Sequence, residues 1–202
     1  MRGWLIGLAL MAAWPALADD LPVAPPSPLA NAGAAPATTK VALAVSVTLG
    51  KYEARLGETP LNEVYKTIGA GVMEHMGDGG ESLEWLCYTL SSDHARLWLS
   101  AGESGKLDTI TATVSDAAPS SHCPEMPDRF GPTHVDRGIW LGLSEAAMTR
   151  MLGPAGNSAG PWRMFHRKLE MPASWVDEDD TLAVRFDKNR LVFLAVSREV
   201  TY

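Results

Sequence analysis

The sequence has no run of twenty apolar residues, only two cysteines among its 202 residues, and no cluster of lysines or arginines. It also lacks the common nucleotide-binding and metalloprotease signatures. Each absence excludes something. A membrane-spanning helix needs roughly 20 consecutive apolar residues, and the leading candidate, residues 4–13, is too short. Lysine and arginine together number 17 against 24 aspartates and glutamates, for a net charge of −7. That balance argues against nucleic acid, which is held by clustered cations that displace its counterions, and against an anionic membrane surface. The acidity mostly favours solubility. No P-loop, no H-E-x-x-H and no dinucleotide-binding glycine fingerprint occurs, so no cofactor is expected.

What is present begins with an address. Arg2 precedes the apolar run 4–13, and Ala16-Leu17-Ala18 supplies an A-x-A cleavage site. This is the pattern of a secretory signal peptide over residues 1–18, so the mature protein is expected to be periplasmic or secreted, one unit more acidic and without a transmembrane helix. No cysteine follows the apolar run, which disfavours a lipid-anchored N-terminus. In an oxidising compartment the even pair Cys87 and Cys123 reads as a disulfide, and closing that loop is worth about 4 kcal/mol in the chain-entropy account. A zinc site using His122 beside Cys123 would lack a second ligand pair. Residues 19–40 are rich in alanine and proline (Pro22, Pro25, Pro26, Pro28 and Pro36). So few large apolar groups cannot offset the entropy of ordering, and the composition predicts a flexible linker.

Residues 41–49 alternate with period two and predict a strand with one buried face. Thr59 and Pro60 suit a helix start, and Leu61, Val64, Tyr65 and Ile68 fall on one stripe that Gly69 ends,. Three strands are expected at 83–90, 95–100 and 107–114, after a loop at 72–82 and before another at 115–138. Ser144 caps a second helix whose Met148, Met151 and Leu152 face inward, and Gly153-Pro154 ends it. Three more strands are expected at 162–169, 181–186 and 191–198, the last two joined by the turn 187–190. Gly69 and Gly153, Leu107 and Leu191, and Ile110 and Leu194 are each 84 residues apart. A fixed offset of this kind points to a tandem repeat. The expected architecture is α+β, with repeat 1 over 41–118 and repeat 2 over 119–202. Each repeat is a short helix followed by a three-stranded antiparallel sheet.

Gly142-Leu143-Ser144, followed by Met148 and Gly153, resembles the helix of the small outer-membrane lipoprotein (SmpA/OmlA) repeat, a fold shared with β-lactamase-inhibitor proteins. The strand from Trp162, the segment Leu182-Ala-Val-Arg-Phe186 and the segment Leu191-Val-Phe-Leu-Ala-Val196 are similar to the rest of that repeat. The resemblance covers about 60 residues of the second half and is weaker in the first,. It implies one concave sheet with helices on one face, and protein binding rather than catalysis. The lipidated cysteine of the lipoprotein members is missing here.

Catalytic candidates are few. Gly156-Asn-Ser158-Ala-Gly160 fits the serine-hydrolase elbow in letters, but it follows a helix and precedes a strand, the reverse of the context that exposes the nucleophile,. His75, Asp78 and Glu81 share a glycine-rich segment whose spacing matches no specific metal loop. Residues 177–180 read as a solvated hairpin tip. The exposed sheet face is more informative. If the more polar side of the strand from Trp162 faces solvent, Arg163, Phe165 and Arg167 lie on it, joined by Tyr88, Arg96, Trp98 and Arg185 from neighbouring strands. Aromatic side chains mixed with arginine are the composition of protein-binding hot spots. The expectation is therefore an exported, non-enzymatic interaction module that holds an envelope component or an inhibited enzyme on this face. The alternatives are a small hydrolase or metal-dependent enzyme using Ser158 or His75, Asp78 and Glu81, and a purely structural envelope protein.

Overall fold

The computed structural model describes residues 21–27, 36–78, 82–154, 160–170 and 177–201. Most of the expected strands form, because their alternating apolar positions can be buried on both sides of a sheet. In chain order the elements are β1 (Ala37–Thr38), β2 (Ser46–Leu49), β3 (Tyr52–Arg55), α1 (Leu61–Ile68), β4 (Glu74–Met76), β5 (Leu83–Leu90), β6 (Ala95–Ala101), β7 (Leu107–Val114), β8 (Thr133–Val135), α2 (Glu145–Leu152), β9 (Trp162–Glu170), β10 (Asp177–Asp187) and β11 (Arg190–Thr201).

Among the described residues, eleven strands fall into two sheets. The larger runs β1-β9-β10-β11-β7-β6-β5-β4, and the smaller runs β3-β2-β8. All pairings are antiparallel except that of β1, which lies parallel to β9 through Ala37 opposite Phe165 and Thr38 opposite His166. The expected turn 187–190 joins β10 to β11, with Lys188 and Asn189 both at positive φ (45° and 62°). Positive φ at both central residues gives a turn whose twist matches the hairpin it closes.

The principal core lies between one face of the large sheet and the two helices and small sheet. One row crosses six strands: Phe165, Leu182, Val196, Ile110, Leu99 and Leu86 are paired in register, and each is at most 2% exposed. Burying a side chain of this size contributes roughly 1.5–3 kcal/mol. Leu61, Val64 and Ile68 of α1 and Met148 and Leu152 of α2 pack into the same core, with Val47, Leu49 and Val135 from the small sheet. Gly69 closes α1 in the left-handed conformation, and Ser144 caps α2 by accepting the Ala147 amide proton at 3.2 Å.

These features overturn the expected pair of helix-plus-three-strand repeats. The described residues are mostly β, with two eight-residue α-helices, a mixed eight-stranded sheet and a separate three-stranded sheet. The six expected strands make up the middle of the large sheet, but β4 extends one edge and β1 the other. Neither was expected, because two or three residues are too few to show periodicity. The segment 41–49 yields only the four residues of β2, and these pair with β3 and β8 in the small sheet. Its anchor is Asp136, which accepts hydrogen bonds from Ser46 Oγ at 2.8 Å and Val45 N at 3.0 Å. Within the expected linker, Val23 is half-buried against the sheet, and Ala37 and Thr38 are paired with β9. The expected leader, residues 1–18, lies outside the described residues. No helix among the described residues is long and apolar enough to cross a membrane.

Candidate functional site on the second face of the large sheet

Strand register assigns every side chain of the large sheet to one face or the other, and it divides the seven expected binding residues. On the core side lie Tyr88, Arg163, Phe165 and Arg167. Tyr88 is fully buried and its hydroxyl donates to Ala70 O at 3.0 Å. Its burial pushes the phenol pKa well up. Phe165 is 2% exposed. Arg163 Nη2 lies 2.7 Å from Glu145 at the start of α2, and Arg167 stands opposite Asp180. Their polarity made this the expected solvent side. The inference fails because carboxylates on the core side receive Arg163 and face Arg167, so the arginines need not point to water.

Arg96, Trp98 and Arg185 do share the second face. One row of this face reads Met164, Ala183, Ala195, Thr111, Trp98 and Cys87. The row on one side contains Trp162, Arg185, Phe193, Thr113 and Arg96. The row on the other contains His166, Thr181, Ser197, Thr109, Ser100 and Trp85.

Half of this face is covered. The Cys87–Cys123 disulfide forms as expected and holds the connection between β7 and β8 against β5 and β6. Thr89 Oγ1 donates to Cys123 O at 3.0 Å, and Arg96 Nη2 to Ala118 O at 3.3 Å. Trp98 is only 3% exposed, and its indole N–H donates to Val23 O at 2.9 Å. Trp85 and Cys87 are buried here with Trp98 and Cys123.

Over β7, β11, β10 and β9 the face forms a trough of about 320 Å³. Ala183 and Ala195 make its floor, Thr109, Thr181 and Ser197 line it with hydroxyls, and His166, Asp179 and Glu199 add titratable groups. His166 Nε2 and Asp179 Oδ1 are 3.1 Å apart. In the adjoining row Trp162 meets Phe193 edge-on at 5.2 Å, and the Arg185 guanidinium sits over the Trp162 ring at 5.8 Å. A larger depression of about 600 Å³ toward the start of β7 shares Thr109, Ser197 and Glu199 with the trough. There burial pushes the Asp108 carboxyl above the ordinary carboxylate range, against hydrogen bonds from Gly102 N and Thr109.

The floor was not legible in the sequence. Alanines and threonines on a strand carry little signal, and only the register brings Ala183, Ala195 and Thr111 side by side. The catalytic candidates gain no cluster. Ser158 and Glu81 lie outside the described residues, His75 is an exposed residue of β4 paired with Glu84, and Asp78 is exposed. No group of three or more histidine, cysteine, aspartate or glutamate side chains suited to a metal occurs among the described residues. Residues 177–180, expected as a hairpin tip, are the first part of β10.

No family model matches the chain, and no curated protein does. The likeness to the small outer-membrane lipoprotein repeat is therefore carried by the quoted residues alone. Among solved structures the chain is similar to a DUF4309 family protein, YjgB, from Bacillus subtilis subsp. subtilis str. 168. The two share 10% identity at a TM-score of 0.38, over 72% of this chain and 82% of that one. A likeness that distant transfers neither a function nor a site.

Proposed function

We propose that this protein is an exported, non-enzymatic binding module that holds a protein partner on the open half of the second face. The observation that carries the reading is the trough itself. It has a floor of small side chains, the Trp162–Phe193–Arg185 group in the row on one side, and His166, Asp179 and Glu199 beside its hydroxyls. Small floor residues let an incoming side chain approach the backbone. Aromatic rings and arginine at the margin are the groups that carry most binding energy in protein interfaces. The disulfide supports an oxidising compartment,, and the leader-like N-terminus supports export. The non-enzymatic part rests on the absence of any complete catalytic signature in the sequence.

The test is affinity capture from envelope extract, with wild-type protein beside an Arg185→Glu/Ser197→Arg variant of confirmed fold. Both residues point from the second face, and Arg185 is exposed. A partner retained by the wild type and lost by the variant is the expected result. A partner captured equally by both would place the interface elsewhere.

A further inference from the structure

The covered half of the second face carries a separate message. Its covering segment, residues 21–27, reads Leu-Pro-Val-Ala-Pro-Pro-Ser. Three of these seven residues lack a backbone N–H, so the segment is a poor sheet strand. Proline-rich chain instead favours an extended helix with three residues per turn and an unpaired backbone. Val23 and Pro26, three apart, are both half-buried, as is Pro25, while Leu21, Pro22, Ala24 and Ser27 are exposed. Val23 packs into a cluster of Trp85, Cys87, Trp98 and Cys123. Its carbonyl accepts the indole proton of Trp98 at 2.9 Å.

Aromatic-lined grooves that read extended proline-rich segments work by the same physics. The segment is already ordered before it binds, and indole N–H groups meet its free carbonyls. Two more polar groups lie beside Trp98 on this face. Trp85 Nε1 and Ser100 Oγ belong to a register pair on β5 and β6, both residues are at most 3% exposed, and neither atom has a partner among the described residues. Buried donors are normally satisfied, so residues 21–27 leave part of the groove's hydrogen-bonding capacity unused.

We propose that the Trp85–Trp98 groove is a recognition site for extended, proline-containing peptide segments, occupied here by the chain's own residues 21–27. A segment of the same chemistry from another protein takes that place in trans. This site is distinct from the open trough, and neither depends on the other. The disulfide makes up part of its floor, which keeps the two tryptophans in fixed relation while the arm exchanges.

The experiment uses the full chain and a fluorescently labelled synthetic peptide of residues 21–27. In the wild type the covalently attached arm competes at the high effective concentration that a short tether gives. The Val23→Asp chain has an arm that no longer fits the apolar cluster, so it should bind the peptide at least about tenfold more tightly than the wild type. Two results should abolish that binding: Trp98→Phe added to Val23→Asp, which keeps a ring but removes the donor, and replacement of the prolines in the peptide by alanine. The peptide variant leaves the protein untouched, so it separates lost recognition from lost folding. No peptide binding by the Val23→Asp chain would overturn the proposal, as would binding indifferent to the peptide's prolines. The Arg185→Glu/Ser197→Arg variant should bind the peptide normally, so failure here and failure of the trough as a partner site are read separately.

Discussion

Arg198 and Asp180 form the most demanding ion pair in the protein. Asp180 is fully buried, Arg198 has a side chain 13% exposed, and two hydrogen bonds of 2.7 and 3.1 Å join them, with Glu178 3.5 Å from the same guanidinium. The hydrogen bonds that Arg198 donates to Asp180 raise the arginine's pKa further. Arg198→Ala strands a buried carboxylate and should cost about 3–5 kcal/mol in denaturant unfolding. An Arg198→Met/Asp180→Leu double variant should recover most of that loss, because the fully buried carboxylate is removed together with its partner,. Asp108 gives the opposite sign. Burial raises its pKa, so the folded state holds its proton more tightly than the unfolded chain does. The resulting stability is fully present below the ordinary carboxylate pKa and is lost as pH rises through the raised one. Asp108→Asn should therefore melt with the wild type near about pH 3 and above it near about pH 7. The same residue-scale logic explains which site residues were legible. Trp98 and Arg185 point away from the helices, as the leucines and valines between them in β6 and β10 imply, but Trp98, expected at the exposed surface, is only 3% exposed. Tyr88 and Phe165 were misassigned because arginine was taken as a sign of solvent, whereas Glu145 draws Arg163 toward the core side.

Elements were more readable than faces. Both helices and the six long strands of the large sheet follow from apolar periodicity, and Gly69, Ser144 and the 187–190 turn fall where local chemistry puts them. The short elements did not show. β1 is two residues long, and β4 and β8 are three each; all depend on pairing with distant chain, not on local pattern. The β2–β3 turn is a sharp instance of that dependence. Gly50 has φ +60°, and a Cβ added there would lie 2.5 Å from Arg129 O, in the segment leading to β8. Gly50→Ala combines a left-handed backbone with that clash and should lower stability by more than the roughly 1 kcal/mol of the backbone term alone. A melting temperature indistinguishable from the wild type would show that this approach relaxes freely.

At the scale of the whole molecule, the helix-plus-sheet repeats gave way to two sheets because three of the eleven described strands are too short to be read from sequence and join through long-range pairing. What the sequence does carry at this scale is the disulfide. Cys87 and Cys123 are 36 residues apart, and Cys87→Ala/Cys123→Ala should cost about 4 kcal/mol in the chain-entropy account. Most of that loss should disappear when wild type and variant are compared under reducing conditions. The central claim is that the open half of the second face is where a partner sits. A photo-crosslinking amino acid placed at Ser197, in the trough, and separately at Tyr65, exposed on α1 across the core, tests this directly in the native compartment. The account predicts a discrete adduct from position 197 and none from position 65. An adduct from position 65 alone would contradict it and move the interface to the helical side.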